Sequence, residues 1–333
     1  MATKETTHNH WVPKTYLNRF AVELEQDVFR LHVLNKDSRE KSFPAGTRDI
    51  CVKKKFYTLP GETEEERQLV ERIYGDHWES DYHRVVDLVT DDDRKVINDE
   101  TRHFVISTVT SLLFRTIKWQ LKQDGMMRQV FTAAVQHSMA SGAEYVMIEN
   151  ERISLVGKSI DELVKDFEKR GRPARIITQL KMAIRLAQVR MNDAIGVVKL
   201  DGPDNFITSD HPVGIWNQND GIIVPFSPTN VLSLPVNNKY RIDLYPPSDI
   251  RGKNHIARVV HSGLMATAEA AVSNDIQFQQ CEYYLLGDQK TLDHFDSTRN
   301  DQALVDSIMA EYKIKIPALI DLAKSMGIDH NKV

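Results

Sequence analysis

Apolar positions along this chain follow two spacings, and the switch between them divides it into regions. In residues 27–35 the run VFRLHVLN sets Val28, Leu31 and Val33 among polar neighbours, which predicts a strand. The turn formers of 35–39 then predict a hairpin and a return strand. Residues 50–59 (ICVKKKFYTL) predict another strand, closed by Pro60 and Gly61. From Thr63 the period becomes helical. Thr63 and Glu66 have capping-box spacing, and Leu69, Val70, Ile73, Tyr74, Trp78, Tyr82, Val85, Val86 and Val89 predict one long helix, bent near Gly75. Asn98 predicts the N-cap of a second helix that ends at Gly125, and residues 126–139 predict a third. Residues 144–156 suit a short hairpin around Asn150. Helices are expected at 159–171 and 173–192, the latter opened by Pro173.

The short spacing then returns. Residues 195–200, 205–208, 221–226, 231–236 and 240–245 are β-branched or aromatic and separated by Pro, Gly, Asn and Asp, so they predict strands. A helix is expected at 255–272, a strand at 278–286, and two or three helices interrupted at Pro317 in the last forty residues. This order predicts an α+β fold with a helical middle and a mostly antiparallel sheet built from N-terminal and C-terminal strands. It also predicts a single large domain over 1–333, in which a helical subdomain at 62–193 is inserted between strand-rich 1–61 and 194–333.

A chain of 333 residues buries roughly three quarters of its unfolded surface, so stability needs no covalent staples. Cys51 and Cys281 stand far apart with no C-x-x-C spacing, which argues against a disulfide framework or a cysteine zinc site. The first seven residues, MATKETT, lack the apolar core of a secretory signal, and no stretch approaches the 18 or so apolar residues of a membrane span. The cytoplasm is the expected compartment, with no membrane partner. The net charge of -4 is unevenly spread. Residues 62–100 hold 14 Asp and Glu against 5 Lys and Arg, whereas 165–199 hold 9 Lys and Arg against 3 acids. These surfaces are either solvated, paired within the fold or across two copies, or, for the basic one, a site for phosphates.

The densest segment is HNHWVPKTYLNRFA at 8–21. Pro13 suits the first position of a helix, and Tyr16, Leu17 and Phe20 then share one face that must be buried. His10, Pro13, Tyr16, Leu17 and Phe20 spell His-x-x-Pro-x-x-Tyr-Leu-x-x-Phe, the opening of an uncharacterised, mainly bacterial family that this chain resembles, domain-of-unknown-function family 4238. The resemblance continues through residues 28–34, Lys55-Phe56-Tyr57, Arg115, FITSDHPV at 206–213 and Pro225-Phe226-Ser227-Pro228. Its motifs carry no established reaction. A family set beside phage-defence genes implies an intracellular effector.

Several of these positions are chemically equipped. A ring nitrogen of His10, just ahead of a helix, can bond backbone, bind a carboxylate or ligate a metal. Asp210 can hold a divalent metal or orient water, or it can close an Asx turn, and His211 follows it. Arg115 comes directly after Leu112, Leu113 and Phe114, so its guanidinium is expected in the core beside a carboxylate or a phosphate. Asp76, Glu79 and His83 share a helical face, and Glu100 with His103 repeats Glu-x-x-His, a spacing of di-metal bundles that needs partners absent here. Arg172, Arg175, Lys181 and Arg185 offer a basic helix to nucleic acid, without aromatics to stack bases.

Absences narrow the chemistry. LVGKS at 155–159 lacks the Gly of a phosphate loop, since that position is Arg152. No G-x-G-x-x-G, G-x-S-x-G or H-E-x-x-H occurs. The leading expectation is a hydrolase, metal-assisted or arginine-assisted, acting on nucleic-acid or nucleotide phosphodiesters. In it His10, Arg115, Asp210 and His211 are catalytic, Asp210 and His10 hold a divalent metal, and Arg172, Arg175, Lys181 and Arg185 bind nucleic acid. The alternative is a non-catalytic sensor or scaffold that binds a protein partner or a second copy of itself.

Overall fold

The opening motif folds as a short strand, β1 (His8–His10), and a helical turn, α1 (Lys14–Leu17), entered at Pro13 with extended geometry. Tyr16, Leu17 and Phe20 are all buried, as one apolar face requires. The structure is a computed structural model of the chain, and it describes residues 8–38, 41–148, 151–217, 230–246 and 254–299.

Strands β2 (Val22–Glu25), β3 (Val28–Asn35) and β4 (Phe43–Gly46) form an antiparallel set on the central β3. The strand expected at 50–59 is only β5 (Val52–Lys54), paired with β1. Cys51 and Lys55 take positive φ on either side of it, at 56° and 54°, and these left-handed residues end the extended run.

The long helix expected from Thr63 is broken into α2 (Glu64–Arg67), α3 (Leu69–Tyr74), a π turn (Gly75–Glu79) and α4 (His83–Thr90). The Thr63 and Glu66 capping box is formed. Asn98 caps α5 (Asp99–Phe114) through its side chain, but α5 stops at Arg115 rather than at Gly125. Thr116 is extended there, and α6 (Ile117–Ala140) runs straight through Gly125. The hairpin is present as β6 (Tyr145–Ile148) and β7 (Glu151–Ser154). The two helices expected next are one, α7 (Ile160–Val189), with Pro173 in its interior.

Beyond it come β8 (Ala194–Asp201), β9 (Thr208–Ser209), β10 (Gly214–Asn217), β11 (Asn230–Pro235) and β12 (Tyr240–Tyr245). The helix expected at 255–272 is instead β13 (Ile256–Ser262) and then α8 (Leu264–Gln280), separated by Gly263 at φ 54°. The spacing of Ile256, Val259 and Val260 imitates a helix, and pairing with β8 overrides it. Strand β14 (Tyr284–Gly287) is shorter than expected because α8 occupies residues to Gln280, and α9 (Gln289–Arg299) follows. The strand expected at 221–226, the 225–228 element, Asn150 and the helices beyond 299 lie outside the described residues.

The fold is α+β. One sheet, in order β2-β3-β14-β9, joins N-terminal to C-terminal strands and is antiparallel throughout. The other, β10-β11-β12-β8-β13, is antiparallel except for the β8 and β13 pair. The main core runs from Trp11 and Tyr16 through Leu113 and Phe114 to Leu232 and Leu244. A smaller core of Phe131, Val135, Val146, Ile153 and Leu163 lies where the β6 and β7 hairpin meets α6 and α7. Among the described residues no helix is long and apolar enough to cross a membrane.

Candidate functional site

Arg115 sits where α5 ends against the opening motif, buried to 1% exposure. Its Nη2 donates to the His10 carbonyl at 2.8 Å. Nη1 lies 2.8 Å from Glu79 Oε1, an ion pair without hydrogen-bond alignment. The guanidinium stacks 4.4 Å from the Tyr74 ring and 5.6 Å from that of Tyr57, whose hydroxyl donates to the Arg115 carbonyl at 2.5 Å. Burial opposes the charge, but Glu79, the two tyrosines and Glu71 outweigh it, and Arg115 stays a cation.

Two glutamates therefore share one arginine. Burial pushes the Glu71 carboxyl up to about 7, with Glu79 adding repulsion and Arg115 only partly offsetting it. Glu71 Oε2, Arg115 Nε and the Tyr82 hydroxyl are buried and find no hydrogen-bond partner among the described residues. Arg115, Glu79 and Tyr82 line a small cleft with Pro13, Trp78 and Ser111. Its free volume of about 10 Å³ admits one water-sized sphere. His10 Nε2 bonds the Thr47 carbonyl at 3.2 Å, and burial holds the ring below its ordinary pKa.

Asp210 is held by other partners. It follows β9, and its two oxygens accept the peptide N–H groups of Glu282 (2.9 Å) and Tyr283 (2.8 Å), at the turn that leads into β14. Burial pushes its carboxyl up to about 6 while these two amides pull it down. His211 Nδ1 lies 2.7 Å from Thr116 Oγ1, and burial, then Lys118 and Lys122, lowers the ring to about 3, so it is neutral. Tyr16 donates to the Pro235 carbonyl at 2.7 Å and accepts from Thr208 Oγ1 at 2.6 Å. Family positions thus meet in pairs, Arg115 on His10 and Tyr16 on Thr208, and Thr116, the residue after Arg115, meets His211. Arg115 and His10 are brought into contact, whereas the Asp210 carboxylate is taken up by main chain. Among the described residues no three His, Cys, Asp or Glu side chains gather as a metal site.

The basic helix is divided as well. Arg172 donates to the carbonyls of Lys55, Phe56 and Thr58, and Arg175 pairs with Asp124 at 2.5 Å and bonds the Glu168 carbonyl. Lys181 and Arg185 are exposed. On the acidic side Glu79 turns inward to Arg115, while Asp76 and His83 are exposed, because the π turn breaks the 3.6-residue register that would align them.

A second, wider concavity lies on another face of α5. A groove of about 370 Å³ runs between the π turn and α5 on one side and α7 on the other. Asp76, Trp78, Asp81, Glu100 and Phe104 line one wall, and Ala183, Ile184, Ala187 and Gln188 the other. Arg84 pairs with Glu100 at 2.9 Å and Asp81 at 3.7 Å and lies over the Phe104 ring. The sequence signals for the groove are the opposite charge of 62–100 and 165–199 and the candidates Asp76, Glu100 and His103, all of which line it. Glu71 and Thr116 escaped the sequence, since nothing local marks them as neighbours of Arg115 or His211, whereas Tyr57 stands within the Lys55-Phe56-Tyr57 element of the family resemblance.

No curated protein and no solved structure matches the chain. Residues 8–291 match the family described as protein of unknown function (DUF4238), a span that contains β1 and every residue of the Arg115 cluster. By that match over most of its length, this chain belongs to the DUF4238 family.

Proposed function

We propose that this protein acts by binding a protein partner, as a scaffold or sensor, through the groove between the π turn, α5 and α7. The observation that carries the reading is the groove itself. Its volume of about 370 Å³, its carboxylates Asp76, Asp81 and Glu100, and its apolar lining by Phe104 on one wall and Ala183 and Ala187 on the other suit a helical segment bearing basic side chains around apolar ones. The residues nominated for hydrolysis have internal partners that support the same reading. Asp210 caps a turn, His211 bonds Thr116, and Arg172 and Arg175 brace the chain. Cys51 and Cys281, buried free thiols, support a cytoplasmic setting.

A synthetic amphipathic helix with Lys and Leu faces, titrated while tryptophan fluorescence is followed, tests this. Binding is expected to saturate, to weaken with salt, and to be lost in Asp76→Lys with Glu100→Lys. Unchanged binding in that variant removes the groove from the reading.

A second reading, phosphodiester hydrolysis by an intracellular effector, draws on Glu71. A carboxyl titrating near neutrality beside a fixed cation suits acid–base chemistry. Against it, Glu71 and Glu79 offset the Arg115 charge that a phosphate would need. Assay of DNA, RNA and nucleotide substrates with and without divalent metals decides: cleavage by the wild type that Glu71→Gln abolishes replaces the binding reading.

A further inference from the structure

We infer that the partner for which the groove is shaped is a second copy of this chain, related by a twofold axis that lays the α7 face of each copy on the acidic wall of the other. The inference rests on the binding reading above and names its partner. Along α7, Ile177, Lys181, Ile184 and Gln188 recur at helical spacing with Arg185 beside them, and all five are exposed. Ile184 and Gln188 belong to the groove wall. This face is a basic amphipathic helix surface of the kind the groove suits.

The charges of the two sides balance. Three carboxylates, Asp76, Asp81 and Glu100, less Arg84 leave -2 on the acidic wall, and Lys181 with Arg185 supply +2. Arg84 is engaged by Asp81 and Glu100, but Lys181 and Arg185 have no ion pair among the described residues. Within one copy the two sides flank the same groove and both face outward. A twofold rotation satisfies each acid wall and each basic face at once, which is the self-complementarity an isologous dimer requires. Ile177 and Ile184, 37% and 44% exposed, would lose solvent in the same step.

The test is a charge exchange read by sedimentation velocity on the full chain. The wild type is expected to run as a dimer that dissociates as salt rises. Asp76→Lys with Glu100→Lys makes both sides positive, and Lys181→Glu with Arg185→Glu makes both negative, so each variant alone is expected to be monomeric. An equimolar mixture of the two is expected to pair again, since every contact then joins opposite charges. A misfolded variant would not restore pairing, so the mixture guards against that explanation. A monomeric wild type at about 100 µM, variants that stay dimeric, or a mixture that stays monomeric overturns the inference. If the chain is monomeric yet the synthetic basic helix still binds, the self-association fails while the binding reading stands; if neither binds, both fail.

Discussion

The guanidinium of Arg115 donates to the main-chain carbonyl of His10 across 105 residues of sequence, at 2.8 Å. That bond fastens the C-terminal end of α5 to β1, and the next residue, Thr116, takes the ring of His211. Family positions spread over the chain therefore meet as one interlock. Polar groups in such a place are costly to leave unpaired, which makes their roles measurable.

Replacing Arg115 with Met strands Glu79 and leaves the His10 carbonyl without its donor. The expected loss is about 3 kcal/mol, the lower end for breaking a buried pair because Glu79 retains 23% side-chain exposure. Urea unfolding measures it. A double-mutant cycle with Glu79→Leu should give coupling of at least about 1 kcal/mol, and additivity would dismiss the ion pair as a stabilising contact.

Asp210→Asn keeps the size but offers one acceptor oxygen where two peptide N–H groups need acceptors. We expect destabilisation of about 1–3 kcal/mol by chemical denaturation. A variant as stable as the wild type would show that the carboxylate is not what holds the turn before β14.

His211 titrates far below its unfolded value. With a folded pKa of about 3 against about 6.5 unfolded, the unfolded chain takes up a proton that the native state refuses between those pH values. Stability from this ring is therefore present above pH about 6.5 and lost as pH falls, by about 1.4 kcal/mol per unit. The stability difference between wild type and His211→Asn should shrink by that slope on acidification. A difference constant from pH 7 to pH 4 contradicts a buried neutral imidazole.

Glu71 runs the opposite way. Its folded pKa near 7 lies above the ordinary 4.5, so its contribution is full below pH about 4.5 and lost as pH rises through 7. Relative to the wild type, Glu71→Gln should gain stability across that window. Side-chain carboxyl titration by NMR gives the pKa directly, and a value near 4.5 would remove the acid–base argument for the second reading.

The amino-acid sequence by itself determined the elements that local spacing controls. The strand at 28–35, the caps at Thr63 and Asn98, the buried face of Tyr16, Leu17 and Phe20, and the α+β order all follow from period and from backbone bonds within a few residues. Arg115 was also legible as a buried cation, because an apolar run precedes it. Only the tertiary structure decided that Thr116 breaks the helix while Gly125 and Pro173 do not, that 256–262 is a strand, and that residues 75–79 form a π turn. The same holds for polar partners: Asp210 bonds main chain 72 and 73 residues away, and Arg172 reaches carbonyls more than 100 residues back. The physical reason is that a side chain's type fixes which bonds it needs, whereas the segment that supplies them is chosen by packing, which no local spacing encodes.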